Sequence, residues 1–191
     1  MRRPLVWLTL GGLALLAAAA GYRFGMEGKD AETATTAGLP VFELVLADLK
    51  GQPQAFAQWR GKLLVVNYWA TWCHPCREEM PGFSRLQDKY RGNGVQFVGI
   101  SIDNAGNIVE FQKATPVNYP LLIGDMGVME NSAALGNTRL ALPFTAVFDR
   151  EGKLYSTKLG RVAEPELERQ LIELLSRDSQ GIVFPARPSG T

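Results

Sequence analysis

Seven consecutive residues, Leu63–Trp69, constrain the fold of this chain more than any other part of its sequence. All of them except Asn67 are apolar or aromatic. A continuous hydrophobic run, without the alternation of a half-exposed strand, is typical of a strand buried on both faces. The segment therefore predicts a strand inside a sheet that other elements cover from both sides.

Signals around this strand predict an α/β fold, with a central mixed β-sheet flanked by helices and an N-terminal β-hairpin extension. The hairpin is expected from a β-like segment at 41–46, a turn at Lys50-Gly51 and an apolar patch at 55–56. The other predicted elements are a helix over 75–90, a strand over 95–102, a helix over 107–114, a strand over 120–123, a helix over 127–135, a hairpin of strands 145–148 and 153–159, and a last helix from Pro165.

The N-terminus has the pattern of a targeting segment, because Arg2 and Arg3 precede an uncharged apolar run over residues 5–20. Arginines ahead of such a run stay in the cytoplasm, so the rest of the chain is expected on the extracytoplasmic (periplasmic) side of the membrane. We expect an uncleaved signal-anchor over 1–22, since no sharp polar cleavage region precedes Gly21. The alternative is a signal peptide cleaved near Ala20, which leaves a soluble periplasmic protein.

A polar tether over 23–38, a folded domain over 39–178 and a loose tail over 179–191 are expected after this segment. The formal net charge of +1 argues against a nucleic-acid binder, which would show a basic face. The chain has two cysteines, and they lie close together. A disulfide-stapled scaffold would have more cysteines at wider spacing, so this pair is available for chemistry.

The two cysteines, Cys73 and Cys76, fall where the buried strand gives way to the next predicted helix. Partial positive charge and unpaired N–H groups at a helix start stabilise a thiolate, which is the species that attacks a disulfide. Cys73 is therefore expected to be the nucleophile, and the more deeply buried Cys76 is expected to resolve the mixed disulfide. An inert structural disulfide is the alternative, although so short a loop contributes little stability.

No metal or other cofactor is expected at this motif. A zinc site needs four ligands, and the only histidine, His74, lies between the two cysteines. Haem attachment needs a histidine directly after the second cysteine, where the chain has Arg77. A copper-delivery module, with Met126 or Met129 as a further ligand, stays open as an alternative.

The segment 67–81 resembles the active-site segment of the TlpA/ResA branch of the thioredoxin superfamily, and the resemblance extends over residues 39–175. It implies a thioredoxin-like fold and an enzyme that exchanges protein thiols and disulfides. The residues that carry it are Gly61-Lys62 before the central strand, Trp72, the Cys73-His74-Pro75-Cys76 motif, Pro81 inside the helix, and Pro-Phe-Thr at 143–145.

The resemblance implies that Pro143 is a cis-proline beside the CxxC motif. The Leu142 backbone would then be free to pair with an extended client segment beside Cys73, in the manner of an added strand. An ordinary trans-proline at the start of a strand is the alternative.

The resemblance also implies that an acid at Glu79 tunes the cysteine pair. Thioredoxin has a buried aspartate where this chain has Asn67, and Glu79 lies one helical turn after Cys76 on the same face. The alternative for Glu79 is a solvated position, as expected for Glu78. His74 offers two interpretations as well: a cation that favours the Cys73 thiolate and makes the disulfide more oxidising, or a plain surface imidazole.

The function that these expectations favour is the reduction of disulfides in extracytoplasmic proteins, with clients such as apocytochrome c or other cysteine-containing proteins. Because the chain has no third cysteine, a separate membrane-embedded thiol donor is implied as a partner. A disulfide oxidant or isomerase is the alternative within the same enzyme class. A redox-inert interaction domain is an alternative of a different class.

Overall fold

The computed structural model describes residues 40–180. The predicted anchor or signal peptide (1–22), the predicted tether (23–38) and residues 181–191 of the predicted tail lie outside this range. Within it, no helix is both long enough and apolar enough to cross a membrane.

Strands and helices follow one another in the order that the sequence predicts. The strands are β1 Val45–Asp48, β2 Pro53–Ala55, β3 Leu63–Trp69, β4 Val95–Ser101, β5 Leu121–Ile123, β6 Phe144–Phe148 and β7 Leu154–Leu159. The helices are α1 His74–Tyr90, α2 Ala105–Ala114, α3 Met126–Asn131 and α4 Glu164–Gln180. Short 3-10 turns lie at Pro40–Glu43, Phe56–Trp59, Arg91–Asn93 and Ser132–Leu135.

The central strand is β3, and all of its seven residues are buried, as the unbroken apolar run predicts. It pairs in parallel with β4 and antiparallel with β6. Over residues 40–180 the sheet has seven strands in the order β2-β1-β5-β4-β3-β6-β7, which confirms the predicted mixed sheet. β1 and β2 form the N-terminal hairpin extension at one edge of the sheet.

Alternate residues of β3 face two separate cores. Val65 and Trp69 pack on one face against residues of α1 and α4, in a cluster that also contains both cysteines. Val66 and Tyr68 pack on the other face, against a cluster that includes Met129 of α3. Successive side chains of a strand point to opposite faces, so the two clusters cover the sheet from both sides.

The segment predicted as a strand over 41–46 differs from the structure, because it begins as a 3-10 turn and the strand starts only at Val45. Its apolar pattern comes from burial rather than from strand alternation. Val41 and Phe42 are 1% and 3% exposed, and the Phe42 ring packs edge-on against the ring of Phe148.

The helix predicted over 127–135 is divided into the short α3 and the 3-10 turn that follows it. The turn ends at Gly136, which has a φ of 107°. Glycine adopts this left-handed conformation without the steric cost that a side chain would add, so the helical segment stops there. At the other end of the domain, α4 continues to Gln180, two residues into the predicted tail.

Candidate active site

Cys73 and Cys76 form a disulfide at the start of α1, with their Cα atoms 5.3 Å apart. Cys73 is the N-cap residue of the helix, and Cys76 lies in its first turn. Cys73 is 6% exposed, whereas Cys76 is 0% exposed. Of the two sulfur-bearing residues, only Cys73 is accessible to a thiol or disulfide from outside, which is the order that the sequence predicts.

The helix start favours a thiolate at Cys73 once the disulfide is reduced. The unpaired N–H groups of the first turn and the partial positive charge of the helix end face this residue. The first turn of α1 contains no acidic residue that would oppose this effect. Pro75 occupies a first-turn position, where its missing N–H costs no hydrogen bond.

The residues beside the disulfide on the outer surface are exposed. Trp72 is 67% exposed, and His74 is exposed as well. The imidazole of His74 lies 3.3 Å from Glu78 Oε1 through Nε2 and 3.3 Å from Arg77 Nη2 through Nδ1. His74 is therefore a surface imidazole that has an acidic neighbour available.

Glu79 is buried one helical turn after Cys76, with an exposed fraction of 3%. Its carboxylate accepts two hydrogen bonds, from Asn67 Nδ2 to Oε1 at 2.8 Å and from the Val162 N–H to Oε2 at 2.8 Å. Glu79 and Cys76 are three residues apart and both buried, so they lie on the same inward face of α1. The alternative of a solvated glutamate fits Glu78, which is exposed, and does not fit Glu79.

Burial raises the pKa of Glu79 to about 7, because the charged carboxylate loses its hydration inside the protein. The hydrogen bonds from Val162 and Asn67 and the positive charge of Arg161 act in the opposite direction, but they do not cancel the effect of burial. A carboxyl group that gains and loses a proton near neutral pH therefore lies one helical turn after Cys76, on the same face of α1.

Asn67 connects this carboxyl group to a neighbouring strand. Its Nδ2 donates to Glu79 and also to Thr145 Oγ1 at 3.1 Å. The contact follows from the register of the sheet, in which Asn67 of β3 lies opposite Thr145 of β6. The hydrogen-bonding roles of Thr145 and of the Val162 backbone were not predicted from the sequence, because both residues reach the site only through the fold.

The peptide bond between Leu142 and Pro143 is cis, as the resemblance implies. β6 runs antiparallel to β3, and Phe144 of β6 pairs with Tyr68 of β3. The residues before β6 therefore lie at the same end of the strands as the CxxC motif, which follows β3. Leu142 packs against the core cluster that contains Cys73 and Cys76. No hydrogen bond among the described residues involves the Leu142 N–H or carbonyl group.

The two methionines considered as copper ligands do not join the cysteines. Met129 is fully buried in the core on the other face of the sheet from the cysteine pair, and Met126 is an exposed residue of α3. In the part of the chain that the structure describes, no group of three or more histidine, cysteine, aspartate or glutamate residues could hold a metal ion.

Comparison with known proteins gives matches that cover the whole site. The sequence profile named Redoxin matches residues 33–171. The thiol-disulfide oxidoreductase ResA of Geobacillus kaustophilus is 30% identical over 160 residues, which are 83% of this chain and 90% of the relative. ResA of Geobacillus thermodenitrificans is 29% identical over the same length and the same shares of both chains.

A solved structure of a thioredoxin-related protein from Neisseria meningitidis serogroup B is 31% identical and superposes with a TM-score of 0.56. That alignment covers 71% of this chain and 98% of the other. A thiol:disulfide interchange protein of the thioredoxin family from Chlorobium tepidum, 24% identical, superposes with a TM-score of 0.63 over 73% of this chain and 98% of its own. The latter match shows that the fold is thioredoxin-like.

Glu79→Gln is expected to remove part of the pH dependence of folding stability. The ordinary pKa of Glu79 is 4.5 and the folded value is about 7, so the folded chain holds an extra proton between these pH values. The free energy of unfolding therefore falls as the pH rises through this window. At 1.36 kcal/mol per pKa unit, the contribution is about 3 kcal/mol. Urea unfolding of the oxidised protein at several pH values from about 4.5 to about 8 measures it.

Glu78→Gln is the matched control, because it removes an exposed carboxylate from the same helix. It should keep the wild-type slope of stability against pH. If Glu79→Gln kept that slope too, Glu79 would not be the group that titrates in this window.

Proposed function

The chain belongs to the redoxin family and is a protein-disulfide oxidoreductase of the TlpA/ResA-like branch of the thioredoxin superfamily. We propose that it reduces disulfides in proteins on the extracytoplasmic side of the membrane. Its redox centre is the pair Cys73 and Cys76. Its clients are cysteine-containing proteins, and apocytochrome c is among those that the resemblance implies.

In the proposed reaction the Cys73 thiolate attacks one sulfur of a client disulfide, and the other client sulfur leaves as a thiolate and takes a proton. Cys76 then loses its proton and attacks Cys73 Sγ. This step breaks the mixed disulfide and releases the second client thiol. The client gains two electrons and two protons, and the enzyme is left with the disulfide that the structure contains.

The observation that supports reduction, rather than oxidation, is the buried carboxyl group of Glu79. A carboxylate on the same inward face as Cys76 opposes negative charge on the cysteine pair, so it reduces the stabilisation that the helix start gives to the Cys73 thiolate. The dithiol is then less stable relative to the disulfide, and a pair with a less stable dithiol gives up electrons more readily. The protonated Cys76 must lose its proton to attack Cys73, and the Glu79 carboxylate is a nearby acceptor for it.

A disulfide oxidant is the second candidate function. The helix start favours the Cys73 thiolate, a positively charged His74 would favour it too, and a stabilised thiolate makes a disulfide more oxidising. His74 is exposed and has Glu78 as an acidic neighbour, so solvent and this carboxylate weaken its effect on the sulfur. The burial of Glu79 gives its charge a stronger influence, and we therefore favour the reductase.

After each turnover the cysteine pair needs a new pair of electrons. The chain contains no third cysteine that could relay them. We propose a separate membrane-embedded thiol donor as the source, with this chain held at the membrane by residues 1–22.

Cys76→Ser is expected to accumulate mixed disulfides with client proteins, because Cys73 can still attack and no sulfur remains to resolve the product. Cys73→Ser should accumulate none, because Cys76 is fully buried. Non-reducing gels of cells that express either variant, compared with reduced samples of the same cells, measure the trapped species. Equal trapping by both variants would contradict the assignment of the nucleophile.

The proposed location is tested with an enzymatic reporter fused after Thr191. Because Arg2 and Arg3 precede the apolar run, the reporter should be active only outside the cytoplasm. A matched fusion that lacks residues 5–20 should stay in the cytoplasm. Reporter activity in the cytoplasm from the intact chain would contradict the proposed location. If the mature protein starts at Gly21, the N-terminal segment is a cleaved signal peptide and not an anchor, and the location stays the same.

A further inference from the structure

Asn137 is a fully buried polar residue in the loop between α3 and β6, and its exposed fraction is 0%. Its side-chain amide holds both backbone groups of Ala141. Asn137 Nδ2 donates to the Ala141 carbonyl at 3.1 Å, and the Ala141 N–H donates to Asn137 Oδ1 at 3.1 Å. A third hydrogen bond, from Nδ2 to Ser132 Oγ at 3.0 Å, fixes the orientation of the amide.

The loop that this amide holds contains a backbone conformation that needs support. Leu140 has a φ of 49°, in the left-handed region that is unfavourable for a residue with a side chain. The Leu140 N–H donates to the Asn137 carbonyl at 2.9 Å, and the Leu140 side chain packs against the core that contains Met129. Side chain and backbone of Asn137 together therefore fix residues 137–141 in one shape. Unusual backbone of this kind is concentrated at functional sites.

The hydrogen bonds of Asn137 decide which backbone groups of the loop remain available. Those of Ala141 are occupied, and the Pro143 carbonyl accepts from the Gly160 N–H at 2.9 Å. Between them lies Leu142, whose N–H and carbonyl have no partner in residues 40–180. Leu142 packs against both cores of the domain, and one of them contains the cysteine pair.

We propose that Asn137 is a positioning residue for client recognition. It occupies both backbone groups of Ala141, so an extended client can pair only with the backbone groups of Leu142. This fixes the register of the client beside Cys73. The proposal rests on the proposed function, since it concerns how a protein disulfide is presented to Cys73. Asn137 contacts Ser132, whose hydroxyl donates to Met129 of the core on the other face of the sheet from the cysteines. It should therefore govern client binding and leave the chemistry of the cysteine pair unchanged.

Asn137→Ala in the full-length chain tests this proposal through two rate constants of the reduced protein. One is the second-order rate constant for reduction of insulin, a protein disulfide, and the other is that for dithiodipyridine, a small disulfide that needs no backbone pairing. Loss of a buried backbone clamp is expected to lower the insulin rate constant about tenfold. The dithiodipyridine rate constant is expected to stay within about twofold of wild type, because the thiolate is unchanged.

Gln87→Ala is the matched control, because Gln87 is a second buried amide that clamps backbone groups. Its Nε2 donates to the Val95 carbonyl at 3.1 Å, and its Oε1 accepts from the Phe97 N–H at 2.7 Å. These hydrogen bonds lie at the start of β4, at the opposite end of the strands from the CxxC motif. The variant should lose stability as Asn137→Ala does, yet keep the wild-type ratio of the two rate constants.

Ser132→Ala is a milder second variant, because it leaves the Asn137 amide in place and removes the hydroxyl that orients it, together with that hydroxyl's hydrogen bond to the Met129 carbonyl. It is expected to lower the insulin rate constant by about threefold and to leave the dithiodipyridine rate constant unchanged. If Asn137→Ala does not fold, the ratio of these two rate constants in Ser132→Ala tests the proposal instead. Equal falls in both rate constants of Asn137→Ala, or no fall in either, would overturn the proposal while the reductase function stands. A wild-type protein that reacts with dithiodipyridine but does not reduce insulin would instead overturn the proposed function.

Discussion

The hydrogen bond from Asn67 Nδ2 to Glu79 Oε1, at 2.8 Å, joins the central strand to the helix that carries both cysteines. A buried carboxyl group is costly unless its oxygens are paired, and the second oxygen of Glu79 is paired with the Val162 N–H. The carboxyl group therefore fixes three parts of the domain relative to one another: β3, α1 and the segment before α4. Burial also raises the pKa of this group to about 7, on the same helix as the cysteines. The electrostatics of the redox centre therefore depend on how this carboxyl group is buried and paired.

The redox centre and the residue that we propose to position clients are held by different parts of the domain. The cysteines and Glu79 lie on the face that α1 and α4 cover, whereas the Asn137 amide holds its loop on the other face. The cysteine motif and the loop before β6 lie at the same end of the strands, because β3 ends there and β6 begins there. If the proposed role of Asn137 holds, a change there alters the binding of a client more than the reactivity of the thiols, although Leu142 itself borders both cores.

Much of this arrangement could be predicted from local sequence. The bounds of β3 follow from an unbroken apolar run, and the helix start at the cysteines follows from the change of periodicity after it. The burial of Glu79 could not be predicted, because spacing shows only which helix face it occupies. The residue that covers this face, Val162, is 83 positions away. Asn137 follows a glycine and resembles an ordinary turn residue, and its clamp depends on loop backbone whose path no periodicity indicates. The error over 41–46 has the same origin, since Phe42 is buried by the distant Phe148.

The reduction potential of the Cys73–Cys76 pair at neutral pH tests the central claim most directly. It is obtained by equilibrating the protein with a dithiol buffer of known potential and measuring the fraction of disulfide. A buried acid that opposes a second negative charge predicts a value near or below that of thioredoxin, about −270 mV. A value near that of the oxidant DsbA, about −120 mV, would contradict the account, because the thiolate-stabilising helix start would then dominate over Glu79.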